Sequence, residues 1–426
     1  MTAQHDAAVM LRLIEELFPI CRSITGDGVR ETLRIVGKHL PLDIVEVPTG
    51  TQVYDWTVPQ EWNVRDAAVI GPDGTRVIDF RACNLHLMSY SVPVTARMTL
   101  DELRPHLQSL PEYPDWIPYR TSYYTRRWGF CLTQRQLDAL EDGEYEIIVD
   151  TTLEDGALTY GECVLPGVEP GEVLLSCHVC HPSLANDNLS GIAVLTWLGR
   201  WLARRERRFT YRLLFTPGTI GSLTWLSRNE DVAGRIVHGL TVAGVGDSGH
   251  LTYKRSRRGN AAIDRTVVTV LRDRGRRHDV EDFSPYGYDE RQFCSPGFNL
   301  PVGCLMRTPH NTYPQYHTSA DNVAFLSPSA LDDTVDVLEA IVEALEADHR
   351  YRNLSPKGEP QLGKRGLYPS VGGPPAQAEQ MAMLWVLNGS DGSHSLLDIA
   401  ERSGLPITAL HAAAERLSRT DLLDLA

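Results

Sequence analysis

A chain of 426 residues is long enough for two or three domains. Its 42% hydrophobic and 23% charged content is that of a globular protein, and its eight cysteines are scattered, so reduced thiols in a cytosolic protein are expected. A formal charge of −14 excludes general affinity for nucleic acid or anionic lipid, and no run of about 18 apolar residues offers a membrane span.

The opening stretch MTAQHDAAVMLRLIEELF has no basic region before an apolar run, which predicts no signal peptide. Val9, Met10, Leu13, Ile14 and Leu17 share one helical face. The loop CRSITGDG follows, then a helix over 31–39 and a strand in LDIVEVPTG. From 60 to 160 the texture turns β-rich. AAVIGPDGTRVIDF reads as a hairpin around Pro72, Asp73 and Gly74. Thr99 with Glu102 forms a capping-box pattern, and EYEIIVDTTL reads as a strand.

From 170 to 347 strands and helices alternate. EVLLSC, YRLLFT, IVHGLTVAGVGD, TVVTVL and LPVGCLM read as strands, while LSGIAVLTWLGRWLARR and SALDDTVDVLEAIVEALEA read as helices. Such alternation predicts an α/β architecture with a largely parallel sheet. A Gly- and Pro-dense linker then leads to three short helical stretches and a final DLLDLA strand, the pattern of a winged helix. Its third helix has only Arg416 and Arg419 as permanent positive charges. The segment also carries Glu379, Asp391, Asp398, Glu401, Glu415, Asp421 and Asp424. Phosphate binding needs a positive surface, so protein–protein packing, such as a homodimer, is expected there rather than DNA binding.

The stretch SCHVCHPSLANDNLSG (176–191) gathers two histidines, two cysteines and an aspartate. Ligands collect at the carboxyl ends of strands in open α/β sheets. His178, Asp187 and Asp247 lie at such ends, and His317 lies in a loop after the last strand. Imidazole and carboxylate donors suit zinc. Each residue also has an ordinary alternative: a loop histidine at 178, a helix N-cap at 187, a turn at 247, and packing or capping at 317.

SCHVCHPSLANDNLSG, VAGVGD, YDERQFCSPGFNLPVG and YPQYHTSADN together resemble a family of bacterial aminopeptidase-like proteins. That family has an inserted β-rich domain and a C-terminal winged helix, and it is often associated with polysaccharide or specialised-metabolite gene clusters. CRSITGDG and YYTRRWGFC extend the likeness over nearly the whole chain. The resemblance implies an α/β, phosphorylase/hydrolase-like zinc-aminopeptidase sandwich with a mixed sheet. It places the main domain in 1–59 and 161–352, the insert in 60–160, a linker in 353–375 and the winged helix in 376–426. It also implies metal roles for His178, a bridging Asp187, Asp247 and His317.

The chain departs from the pattern. Related aminopeptidases orient the first histidine with an aspartate, where this chain has Cys180 with His181 beside it. The closer family has a glutamate before TIGS, where this chain has Gly218, and no carboxylate remains between Tyr211 and Arg228. Loss of a general base costs about 10²–10⁴-fold in rate. Loss of a ligand as well makes one zinc the expectation rather than two.

Other groups offer substitutes. In YGYDERQF, Asp289 and Glu290 are candidate catalytic carboxylates, and Arg291 is a candidate clamp for a substrate carboxylate. His310 and Tyr316 are proton-transfer candidates, and Asp321 is a candidate outer partner of His317. Gly218 offers room for substrate, and Arg126 and Arg127 are candidates to lie over the site. The ordinary readings are a solvated charge cluster and an amphipathic strand. The expected function is a zinc-dependent hydrolase of aminopeptidase or amidase type, acting on a small amino-acid-derived or peptide substrate. The alternatives are a repurposed amide-transfer or deacylase enzyme and an inactive metal-binding scaffold.

Overall fold

The computed structural model describes residues 7–367 and 374–426. They divide into two compact units, one of Met1–Gly259 with Glu281–Val335 and one of Asn260–Val280 with Asp336–Ala426. The principal strands of the first unit are, in chain order, β1 (Asp43–Pro48), β2 (Glu61–Ile70), β3 (Arg76–Asp79), β4 (Val94–Thr99), β5 (Glu144–Glu154) and β6 (Ala157–Leu165). Then come β7 (Glu172–His178), β8 (Thr210–Thr216), β9 (Ile236–Val242), β10 (Leu251–Lys254) and β11 (Val302–Met306).

Seven of them form one mixed sheet in the order β1-β6-β8-β7-β9-β11-β10. β7 pairs in parallel with β8 on one side and β9 on the other, and β11 continues the parallel run beside β9. β1, β6 and β10 run antiparallel to their neighbours. Every residue of β7 is buried, which is why EVLLSC reads as an unbroken apolar run rather than an alternation.

The insert builds its own antiparallel sheet, β3-β2-β5-β4. The hairpin expected around Pro72-Asp73-Gly74 is the β2–β3 pair, and the Thr99–Glu102 capping box opens a short helix. The insert does not stand alone as a body. Trp62 and Ile147 belong to the same buried cluster as Trp225 and Phe293.

In the second unit, strand Arg350–Asn353 lies between Asp391–Ser395 and Leu423–Leu425, antiparallel to both. Helices Pro374–Gly389, Leu396–Ser403 and Ile407–Ser418 complete a winged helix. The domain boundary expected at 352 therefore moves upstream, because the first strand of the winged-helix sheet precedes the linker. Part of that linker, 368–373, lies outside the described residues.

TVVTVL is not a strand. It lies inside helix Ala262–Arg274, where Ile263, Thr266, Val267, Val270 and Leu271 are buried at helical spacing. Asp264 accepts the Ala261 N–H at 2.9 Å, and Gly275 ends the helix in a left-handed conformation. These end signals outweigh the β-branched composition of the segment. All eight cysteines are free, and no helix among the described residues is long and apolar enough to cross a membrane.

Candidate metal centre

His178 is the last residue of β7, the strand with parallel neighbours on both sides. Its side chain emerges where the connections part to opposite sides of the sheet, the place where such folds bind ligands. The chain then forms an irregular, wholly buried turn over Ala185–Ser190 before helix Gly191–Leu202.

Asp187, fully buried in this turn, gathers the imidazoles. Its Oδ1 lies 2.8 Å from His178 Nε2, and its Oδ2 lies 3.0 Å from His317 Nε2 and 4.0 Å from His181 Nε2. Donor atoms of His178, His181 and Asp187 all fall within 4.8 Å of one another. Asp187 Oδ2 and His317 Nε2 do not meet in hydrogen-bonding geometry, and neither has another partner. Two orphaned buried polar atoms facing each other are costly alone, and a cation satisfies both. Burial works to raise the Asp187 carboxyl, but His181, His178 and His317 hold it well below its usual range. Burial drives His181 well below its ordinary value, so its imidazole is neutral. An ionised carboxylate among imidazoles is a donor set that fits zinc.

The flanking asparagines fix the turn. Asn186 donates its backbone N–H to Asp321 Oδ1 at 2.6 Å and its amide to Asp247 Oδ2 at 3.0 Å. Asn188 donates to the Val242 carbonyl at 3.1 Å and accepts the Gly244 N–H at 3.1 Å. Asp321 thus holds the backbone of the Asp187 turn, whose Asp187 N–H it accepts at 3.0 Å, rather than His317 as expected. Arg22, from CRSITGDG, is fully buried and donates to the His181 carbonyl at 3.0 Å.

The fold brings His178, Asp187 and His317 together, and adds His181. Asp247 is not in the converging group. Its oxygens accept from Gly249 N (2.7 Å), Thr308 Oγ1 (2.6 Å), Thr308 N (3.3 Å) and Asn186, which makes it a brace between loops.

Asp289 is buried beside Gly218. Its Oδ1 accepts from Ser222 Oγ at 3.1 Å, its Oδ2 has no partner, and burial pushes its carboxyl up to about 6. Glu290 is paired with the equally buried Lys254 at 2.7 Å. Arg291 donates to Thr219 Oγ1 at 3.2 Å. Tyr316 stacks on His317 at 4.0 Å between ring centres. His310 packs 5.2 Å from Tyr288, which itself stacks 5.2 Å from His178. Burial raises the Tyr316 phenol far above its ordinary value, so it serves as a donor and a wall rather than a proton acceptor.

Arg126 and Arg127 do not reach the site. They are exposed and bond to Gln60 and the Thr121 carbonyl within the insert. The insert reaches the centre through Tyr119 instead, whose ring lies 5.2 Å from those of both His181 and His317. The signal for His181 was its place three residues after His178. The signal for the braces was the asparagine on each side of Asp187. Nothing in the local sequence marks Tyr119.

A family model described as a domain of unknown function (DUF4910) matches residues 11–348, and a winged helix-turn-helix model matches 349–425. A Clostridium acetobutylicum protein, described as a candidate polysaccharide biosynthesis protein with an aminopeptidase-like domain, is 52% identical over 414 residues. The match covers 97% of this chain and 95% of that one. A solved structure from the same organism, described as a candidate peptidase, superposes with a TM-score of 0.94 at 50% identity, covering 99% of this chain and 96% of that one. A zinc aminopeptidase from Bacillus subtilis shares the fold at 12% identity and a TM-score of 0.59, over 80% of this chain and 95% of its own. Of the two gene-cluster settings the sequence suggested, only polysaccharide biosynthesis recurs in a relative's description. The chain belongs to the DUF4910 family, with its aminopeptidase-like α/β fold and a C-terminal winged helix.

Proposed function

We propose that this protein is a zinc-dependent hydrolase that cleaves a peptide or amide bond in a small amino-acid-derived substrate. The observation that carries this reading is the buried Asp187, with one oxygen facing His178 and the other facing His317, and His181 alongside. Zinc in this donor set supplies Lewis acidity toward a substrate carbonyl. One ion is favoured over two, because Asp247 is spent on loop donors and Gly218 offers no carboxylate.

The other groups have assignable tasks. Tyr288, His310 and Tyr316 wall the imidazoles and limit water. Arg291, held by Thr219, orients an anionic part of the substrate. The Clostridium relative's description favours a small amide met in polysaccharide assembly. The buried, free thiols suit a reducing cytosol. Calorimetric titration of metal-free protein with zinc tests the centre, and a panel of aminoacyl-anilides and N-acyl amino sugars tests the reaction. Failure to take up zinc overturns the reading.

A further inference from the structure

Amide hydrolysis requires a group that accepts a proton from the attacking water and returns it to the leaving nitrogen. Five buried carboxylates belong to the loops and turns that build this centre: Asp187, Asp247, Asp289, Glu290 and Asp321. Four of them are held by an imidazole, a lysine or backbone N–H groups. Asp187 is shared among the imidazoles. Asp247 accepts from Asn186, Gly249 and Thr308. Asp321 accepts the backbone N–H groups of Asn186 and Asp187. Glu290 is ion-paired through Oε1 with the equally buried Lys254 at 2.7 Å, and its Oε2 has no partner.

Asp289 remains. It is 2% exposed, and its Oδ2 faces no donor. A Cβ placed on Gly218 would stand 3.3 Å from Asp289 Oδ1, 3.4 Å from Asp289 Oδ2 and 3.3 Å from His178 Cβ. A side chain at 218 would therefore press on the Asp289 carboxylate and on His178, so that carboxylate already fills the space beside Gly218.

We infer that Asp289 is the proton-carrying carboxylate of this site, holding across Gly218 the place that a side chain at 218 would take. The inference rests on the hydrolase reading above. In the reaction, a C–O bond forms from water to the carbonyl carbon as one water proton passes to Asp289. The C–N bond then breaks, and the same proton goes to the leaving nitrogen. The products are an acid and an amine, and Asp289 ends as it began.

The test uses the zinc-loaded full chain and the variants Asp289→Asn, Gly218→Glu and the double variant. Asp289→Asn keeps the shape and the Ser222 contact, so zinc content and folding should hold while kcat on an aminoacyl-anilide falls about 10²–10⁴-fold. Gly218→Glu should lower the melting temperature more in wild type than in the Asp289→Asn background, because two carboxylates then crowd one buried space. The double variant should recover turnover, since its carboxylate enters the same space from the other wall. An active wild type whose Asp289→Asn variant stays within an order of magnitude overturns the inference. So does a melting cost of Gly218→Glu that is the same in both backgrounds. A zinc-loaded wild type that turns over no amide overturns the hydrolase reading itself, a result distinct from both.

Discussion

The backbone N–H of Tyr119 donates to the carbonyl of His317 at 2.8 Å. The contact joins the insert to the last imidazole of the candidate centre. His317 has φ of 55°, a left-handed backbone that costs a histidine free energy and persists only when its surroundings impose it. The Pro118–Thr318 bridge and the Ile117 N–H to Ser319 Oγ bond of 2.9 Å pin the two residues that follow it. The Tyr119 ring then packs against His181 and His317. Tyr119→Ala should weaken zinc binding by about 10–100-fold, the usual cost of losing an outer partner of a metal ligand. Tyr119→Phe loses only the hydroxyl contact to Tyr123 and should bind zinc like the wild type. Calorimetry on both variants separates ring packing from the phenol.

His178→Ala and Asp187→Asn should each abolish tight zinc binding, because Asp187 is the one group every imidazole of the cluster faces. His181→Ala is the sharper case. Its donor atom lies with those of His178 and Asp187, so affinity should fall by at least tenfold, roughly the loss of 1.4 kcal/mol of binding free energy. Unchanged affinity would return the ligand set to His178, Asp187 and His317.

Asp247→Ala should act on stability before metal binding. Four hydrogen bonds end on this carboxylate, and its removal strands a buried donor from Asn186 and half-buried donors from Gly249 and Thr308. Each unsatisfied buried group costs about 1–3 kcal/mol. Denaturant unfolding should show a large loss of stability, with zinc stoichiometry kept in the folded fraction. Loss of zinc from a variant as stable as the wild type would make Asp247 a ligand after all.

Glu61 and Arg30 tie β2 to helix Asp27–Val36, and Glu61 also accepts the Ala157 N–H at 3.0 Å. The Arg30 hydrogen bond lowers the Glu61 carboxyl from 4.5 to about 2. A depressed carboxyl stabilises the fold fully above its ordinary value, and this contribution is lost as pH falls from 4.5 through about 2. Glu61→Gln should therefore be less stable than wild type near neutrality, with the gap closing below pH 4.5. A gap that stays constant from pH 6 to about 3 would reject the linkage.

The winged helix should not bind DNA. In its third helix Arg416 donates to Glu379 at 2.9 Å, and Arg419 lies 3.5 Å from Glu415. Both permanent cations are thus paired with carboxylates. Fluorescence anisotropy with random duplex at low salt should show no shift, and sedimentation of the full chain tests the dimer proposed for this unit. Salt-sensitive duplex binding would overturn the assignment.

Residue type and local pattern alone determined much of this protein. The apolar run of β7, the hairpin at Pro72-Asp73-Gly74 and the Thr99 capping box depend on neighbours in sequence, and the chain carries them openly. His178, Asp187 and His317 were legible as candidate metal donors because few other residue types can serve. Tertiary structure decided the rest. TVVTVL became a helix because its buried face and its ends outweigh β-branched propensity. Asp247 and Asp187 look alike as aspartates near strand ends, yet four donors converge on one and imidazoles on the other. Within DERQ, three adjacent charges were sorted by what folds against each: the close approach of Gly218 for Asp289, Lys254 for Glu290, and Thr219 for Arg291. Those partners come from segments 36 to 72 residues away, and no local pattern encodes which of them arrives.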